Sequence, residues 1–388
     1  MFRKTRLDKL LRLQLAVLIY LAGASSAFAL GTASNTDIDN MATVDYNLGA
    51  TAQTAIESSP LGNSTAGAGQ GAVTTFKVDN KIDFVVTEAD AAYTLVAPNS
   101  TSQAVSFTLQ NDGNTTQDFS FTAAEVATGA ADSQGGTDDF DGVAVGIFVE
   151  SGATVGYQVI EDTATYADQL VPDASVTVYV VRDIGAELDS TSSGVILTAQ
   201  VAVGDTGGAQ GADIVADDSG TADDSTVVQI VFADGMGDTD GATDGRFSDT
   251  DAFLVQSATL LITKRSMVIS DPFNLGVNPK AIPGATIEYE VEIAHTAGTG
   301  TATSVTITDD LSAEVGAGTV IFDLTGYGAG AGLEVEAPNL YGGAATALTN
   351  GADADEGTWN AGADTLTVSG IQVAPGETAF VRYRVTIQ

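Results

Sequence analysis

The sequence predicts an all-β chain of tandem sandwich domains, on three observations. Between Leu260 and Asp310, Ile287, Tyr289, Val291 and Ile293 alternate with Glu288, Glu290 and Glu292. A period of two puts apolar and charged side chains on opposite faces of a strand, which no helix does. The same alternation returns at Val381, Tyr383, Val385 and Ile387. Finally, 43 glycines accompany abundant Thr, Ser, Asp and Ala, and little after the N-terminus reads as amphipathic helix, as in β-sandwich chains with many turns.

Residues 1–29 have the three parts of a secretory signal peptide. Arg3, Lys4, Arg6, Lys9 and Arg12 precede an uncharged run, Leu15–Ala24, and the small-residue site Ala27-Phe28-Ala29 follows, so cleavage is expected after Ala29. The alternative is a membrane anchor, but a bilayer requires about 20 apolar residues. Residues 30–78 hold IDNMATVDYNL, a Gly/Ser/Thr/Ala-rich loop and AVTTFKVDN. They read as a β-hairpin segment, which either packs on the next domain or adds to a neighbour's sheet.

Residues 79–256 read as a first sandwich. Its strands are DFVVTE, AVSFTLQN, QDFSFTA, GVAVGIFVE, YQVI, SVTVYVV, GVILTAQVAV, VVQIVFAD and AFLVQSATLLI, with a tight turn at Asn111–Asn114. Residues 257–388 read as a second. The two echo each other. Pro98, then Val105, Phe107 and Leu109, then Phe119 is matched by Pro283, then Ile287–Ile293, then Val305. LVPDASVTVYVV likewise parallels QVAPGETAFVRYRV.

Charge narrows the partners. The chain has 14 basic and 51 acidic residues, a net of −37; without residues 1–29 it has 9 and 50, a net of −41. Nucleic acid and anionic membrane surfaces are disfavoured, since both need clustered Lys and Arg. With no cysteine in an exported chain, the domains must fold on buried area alone.

The candidate site is the acidic loop DGMGDTDGATDGRFSDTD. Asp234, Asp238, Asp240, Asp244, Asp249 and Asp251 recur two to five residues apart among glycines. Calcium takes six to eight oxygens from carboxylates and carbonyls on a loop that can wrap it, and glycine permits the wrap. The loop departs from the EF-hand template, and a solvated acidic loop is the alternative. A second run, Asp132, Asp138, Asp139 and Asp141, and a third, Asp217, Asp218, Asp223 and Asp224, are weaker versions of the pattern.

Catalysis is poorly supplied. The lone histidine, His295, falls in a predicted turn with no nucleophile pattern near it. Cysteine-ligated and three-histidine zinc sites are excluded. The one tryptophan, Trp359, is either a core anchor or an exposed sugar-stacking platform. Arg382 and Arg384 either pair across strands with Glu288, Glu290 or Glu292, or blunt an edge strand.

PKAIPGATIEYEVEI, ATSVTITDDL and VAPGETAFVRYRVTI together resemble the conserved repeat domain of bacterial and archaeal surface proteins, a domain of unknown function. VVQIVFADGMGDTDGATDGRFSDTDAFLVQSATLLITK followed by SDPFN is similar to its proteobacterial exported branch. The resemblance covers most of the chain after residue 29. It implies immunoglobulin-like β-sandwiches and no catalytic residues. His295-Thr296-Ala297 stands where the family commonly has Asn-x-Gly, which leaves that turn's geometry open.

The expectation is therefore a secreted or cell-surface structural or adhesive protein, non-catalytic and calcium-stiffened, whose partners are other surface components or copies of itself. The alternative is an extracellular carbohydrate- or ligand-binding module.

Overall fold

A computed structural model describes residues 31–204, 207–216 and 222–388. The signal peptide expected at 1–29 lies outside them, as do Asp217 and Asp218. The described chain is β-structured almost throughout. No helix among the described residues is long and apolar enough to cross a membrane. Two compact units emerge. The first comprises the chain up to Thr94, Thr101–Asp183 and Ser192–Phe253; the second comprises Leu95–Ser100, Ile184–Thr191 and Leu254–Gln388.

In the first unit, β1 (Asp37–Asn40) pairs antiparallel with β2 (Thr74–Lys77). The later strands are β3 (Asn80–Ile82), β4 (Phe84–Glu88), β5 (Gln103–Asn111), β6 (Gln117–Glu125), β7 (Val143–Val149), β8 (Ala167–Leu170), β9 (Ser175–Asp183), β10 (Ser192–Val203), β11 (Ile230–Phe232) and β12 (Arg246–Val255). One sheet runs β7-β9-β5-β4, the facing one includes β8-β6-β10-β12, and β3 pairs parallel with β11. Alternation dictates the core. Val105, Phe107 and Leu109 of β5 are all fully buried, and Phe84 meets Phe119 of the opposite sheet with ring centroids 4.9 Å apart.

The second unit holds β13 (Thr259–Ser270), β14 (Thr286–Ala297), β15 (Ala302–Asp310), the helical turn α1 (Ser312–Gly316), β16 (Val320–Phe322), β17 (Leu333–Glu336), β18 (Thr346–Leu348), β19 (Gly357–Asn360), β20 (Thr365–Val373) and β21 (Thr378–Ile387). Its larger sheet runs β13-β14-β21-β17-β18, with β16 also on β21; the smaller runs β15-β20-β19. One apolar cluster draws on both sheets, including Ile293, Val381 and Tyr383 from one and Ile307, Leu366 and Val368 from the other. The all-β sandwich class is thus what the chain adopts.

The internal echo has a topological counterpart. β5 lies between β4 and β9, and β14 lies between β13 and β21. The DPFN and AIPGA motifs meet at a turn. Gly284 sits at φ +86°, and a Cβ there would come within 2.7 Å of Pro272 Cγ.

Four expectations are corrected. YQVI is a loop rather than a strand, with Val159 and Ile160 exposed. Buried Asp162 accepts N–H bonds from Ser151 and Gln158 there, and side-chain-to-backbone bonding of this kind competes with a ladder. IDNMATVDYNL breaks into short pieces. Thr43–Val44 pairs with Ile56–Glu57, and Asn47–Leu48 with Thr51–Ala52. His295 belongs to β14, and the turn comes later, at Gly298 with φ +101°. Lastly, β21 is an interior strand, so its arginines blunt no edge. Arg382 bonds Glu290, Glu334 and Glu336, and Arg384 bonds Glu288.

Candidate functional site

The acidic loop of the first unit folds back on its own backbone. Asp234, 1% exposed, accepts the N–H groups of Asp244 at 3.2 Å and Gly245 at 3.3 Å. Asp244 accepts those of Gly241 and Arg246. Asp240 takes the N–H of Gly237 and the hydroxyl of Ser248. Asp238 takes the hydroxyl of Thr250 at 2.6 Å. Asp249 takes the N–H of Glu88 at 2.5 Å. Asp234, Asp240 and Asp244 act as local caps in a glycine-rich turn system, whereas Asp249 ties the start of β12 to the end of β4.

Asp251 is placed differently. It lies on β12, 1% exposed, and accepts the N–H of Ala252 at 2.6 Å. Its carboxylate converges with those of Glu88 and Asp90, with ligand atoms all within 4.8 Å of one another. Among the described residues this is the group of acidic side chains placed to share a cation, and of the six loop aspartates it contains Asp251 alone. Burial, then the neighbouring charges of Glu88 and Asp90, push the Asp251 carboxyl up to about 7. Burial likewise raises Glu88, against the N–H of Ala92 and with the charges of Asp90 and Asp249 adding to it. Three crowded carboxylates resist joint ionisation, and a hard cation relieves that conflict through an all-oxygen donor set of the kind calcium or magnesium takes.

Glu88 and Asp90 were not singled out in the sequence. They stand more than 150 residues before Asp251, and the packing of one sheet on the facing one brings Glu88 of β4 to Asp251 of β12. The local signal was Glu-x-Asp at the end of a strand, which is too common to be diagnostic.

Above the outer face of β6 and β10 the same loop forms a polar concavity of about 580 Å³. Its walls include Ser120, Thr122, Thr198 and Gln200 from the strands, and Asp240 and Arg246 from the loop segment. Arg246 Nε donates to Gln200 at 2.7 Å.

The remaining candidates hold the structure together. Asp132 accepts from Tyr93, Ser192, Gln134 and Gly136. Burial pushes its carboxyl up, but these bonds outweigh it and hold it below the ordinary range. Asp138 takes the N–H of Gly194 and Asp139 that of Ser192. Asp224 caps Thr226.

In the second unit, the His295 ring is 6% exposed and bonds the Gly300 carbonyl at 2.8 Å. Asp271 of DPFN accepts N–H bonds from Phe273, Asn274 and Lys280. Those bonds, Asn274's first, hold its carboxyl far below the usual range. The motif's acid is therefore a loop staple. Trp359 lies flat on Phe322, with centroids 4.0 Å apart, and packs on the core cluster.

No family model and no curated protein matches the chain. Solved structures give loose likenesses. The C-terminal domain of the Streptococcus pyogenes antigen I/II-family protein AspA aligns over 79% of this chain and 91% of that one, at 9% identity and a TM-score of 0.30. The collagen adhesin CNA from S. aureus aligns over 79% and 81%, at 12% identity and a TM-score of 0.21. A chain from the chaperone–tip adhesin complex of CFA/I fimbriae aligns over 91% and 85%, at 8% identity and a TM-score of 0.17.

Proposed function

We propose that the chain is an exported, surface-associated structural or adhesive protein without catalytic activity, of the conserved-repeat-domain kind its motifs resemble. The observation that carries this reading is where the polar groups are used. Asp132, Asp162, Asp234, Asp271 and His295 are all buried, and each is committed to hydrogen bonds that fasten loops to sandwiches. A leader-like N-terminus supports export. Protease shaving of intact producing cells tests it. Digestion of the chain from outside is expected, and full protection inside the cytoplasm would count against the reading.

Calcium binding is part of the proposal, with Glu88, Asp90 and Asp251 as ligands. By relieving their mutual repulsion the cation stabilises the folded unit through mass action.

A second reading, carbohydrate binding, is favoured by the concavity over β6 and β10. Hydroxyls, an amide, carboxylates and a guanidinium side by side suit the alternating donors and acceptors of a sugar. A glycan array with the parent and an Asp240→Ala/Arg246→Ala variant separates the readings. A spacer binds nothing, whereas a lectin-like site binds and loses its signal in the variant.

A further inference from the structure

Among the described residues, two surfaces of the first unit lack a partner. The first is the outer edge of β7, whose sequence VAVGIFV carries no charge. β7 pairs with β9 on one side; on the other, Val149 alone is met, by Ala164. Val143 is 68% and Val145 45% exposed. In the facing sheet, the ladder from β6 to β8 stops at Phe119, and Ala123 and Ala124 are exposed.

Between these edges lies a groove of about 460 Å³, lined by Phe121, Ile147 and Val181, with Arg182 in its wall. Arg182 is 2% exposed and donates Nη1 to Glu125, while its Nε has no partner. An uncharged strand edge beside an unfilled groove is suited to an added strand. The added backbone extends the ladder and alternate side chains enter the groove.

The second surface is the N-terminal hairpin, Ala42–Ser58. Val44, Tyr46 and Leu48 recur every second residue and are 58%, 41% and 65% exposed. A lone two-stranded hairpin is marginal in water, and this one presents its apolar face to solvent.

We propose that the hairpin of one copy adds to the β7 edge of a second copy and sets Val44, Tyr46 and Leu48 into its groove. Charge selects this occupant. In a chain of net −37, Ala42–Ser58 carries only two charged residues, Asp45 and Glu57, and the groove is itself nearly neutral, its one cation, Arg182, being paired with Glu125 in the same wall. More acidic segments are repelled by Asp141 and Glu150, which flank the edge. Donor and acceptor surfaces differ, so the contact is heterologous and repeats from copy to copy into open filaments unless its rotation closes a ring. The inference deepens the structural reading above and rests on it.

The test is sedimentation and electron microscopy of the purified chain without residues 1–29. Concentration-dependent linear oligomers are expected. Val145→Lys removes the acceptor and Val44→Lys/Leu48→Lys removes the donor, so each variant alone stays monomeric, and mixing the two gives dimers that grow no further. Circular dichroism melts show whether each variant folds. A synthetic Ala42–Ser58 peptide, which caps the groove without any mutation, shortens the parent's oligomers. A parent that is monomeric at every concentration, donor variants that assemble like the parent, or a peptide without effect would each overturn the proposal. Because the chain is purified, such a failure leaves surface location to its own shaving experiment.

Discussion

The Tyr383 hydroxyl donates to the Asp309 carboxylate at 2.6 Å, joining the two sheets of the second unit across its core. Tyr383 is fully buried on β21 and Asp309 lies on β15. Lys264 Nζ meets the same carboxylate oxygen at 2.6 Å and lies 4.8 Å from the centre of the Tyr289 ring. Burial, then the bond to Asp309, pushes the phenol far above its ordinary value, so it stays a donor at any pH the protein meets. Tyr383→Phe keeps the packing and deletes the bond, and should cost about 1–3 kcal/mol in chemical denaturation. An unchanged midpoint would show that the sheets are held by apolar contact alone.

Asp251 makes the first unit sensitive to pH. Its folded carboxyl titrates at about 7, against about 3.9 in an unfolded chain. Between those values the folded unit keeps a proton that the unfolded chain has lost. Without divalent cations, stability should therefore fall as pH rises from about 4 to about 7, by up to about 4 kcal/mol. Asp251→Asn should flatten that slope and raise the melting temperature in chelator at pH 8. Calcium should raise the parent's melting temperature and leave the variant's alone. A calcium-insensitive parent that keeps its slope would reduce the three carboxylates to a repulsive cluster.

Trp359 tests the core against the sugar platform. Trp359→Ala removes the ring stacked on Phe322 and should cost about 2–4 kcal/mol, toward the lower end of the range for buried aromatics because Trp359 is only partly buried. Glycan-array signals should be unaffected. Loss of glycan binding with unchanged stability would reverse the assignment.

Arg382 gathers Glu290, Glu334 and Glu336 at 2.8, 3.0 and 2.9 Å and is 18% exposed. Arg382→Met leaves Glu334 and Glu336 without their shared cation and Glu290 with only Arg265, 3.7 Å away. The expected loss is about 2–4 kcal/mol, partly recovered at high salt, and Arg382→Lys should recover only part because it cannot fork between carboxylates. Equal stability of the methionine variant would show the cluster to be surface decoration.

What was legible in the sequence was whatever alternation alone decides. Ile287, Val291 and Ile293 point inward and Glu288, Glu290 and Glu292 outward because a strand has no other way to sort them. YQVI misled because its apolar residues resemble a strand while Asp162, two residues later, claims the backbone. The site was legible only in part, for a different reason. Asp251 belongs to a run of acids visible in the sequence, but Glu88 and Asp90 reach it through the packing of two facing sheets, which leaves no mark on local spacing. The other five loop aspartates looked like ligands because calcium loops and Asx-capped turns draw on the same residues.

β21 enters its sheet between β14 and β17, and Glu290 waits for Arg382 across 92 residues. Both neighbours leave the ribosome first and face a vacant lane until that strand arrives. Contacts so distant in sequence form slowly, so the second sandwich cannot close early in synthesis. If the chain is exported as proposed above, such delay would keep it threadable through a narrow channel: the lane is filled only after most of the unit has been made.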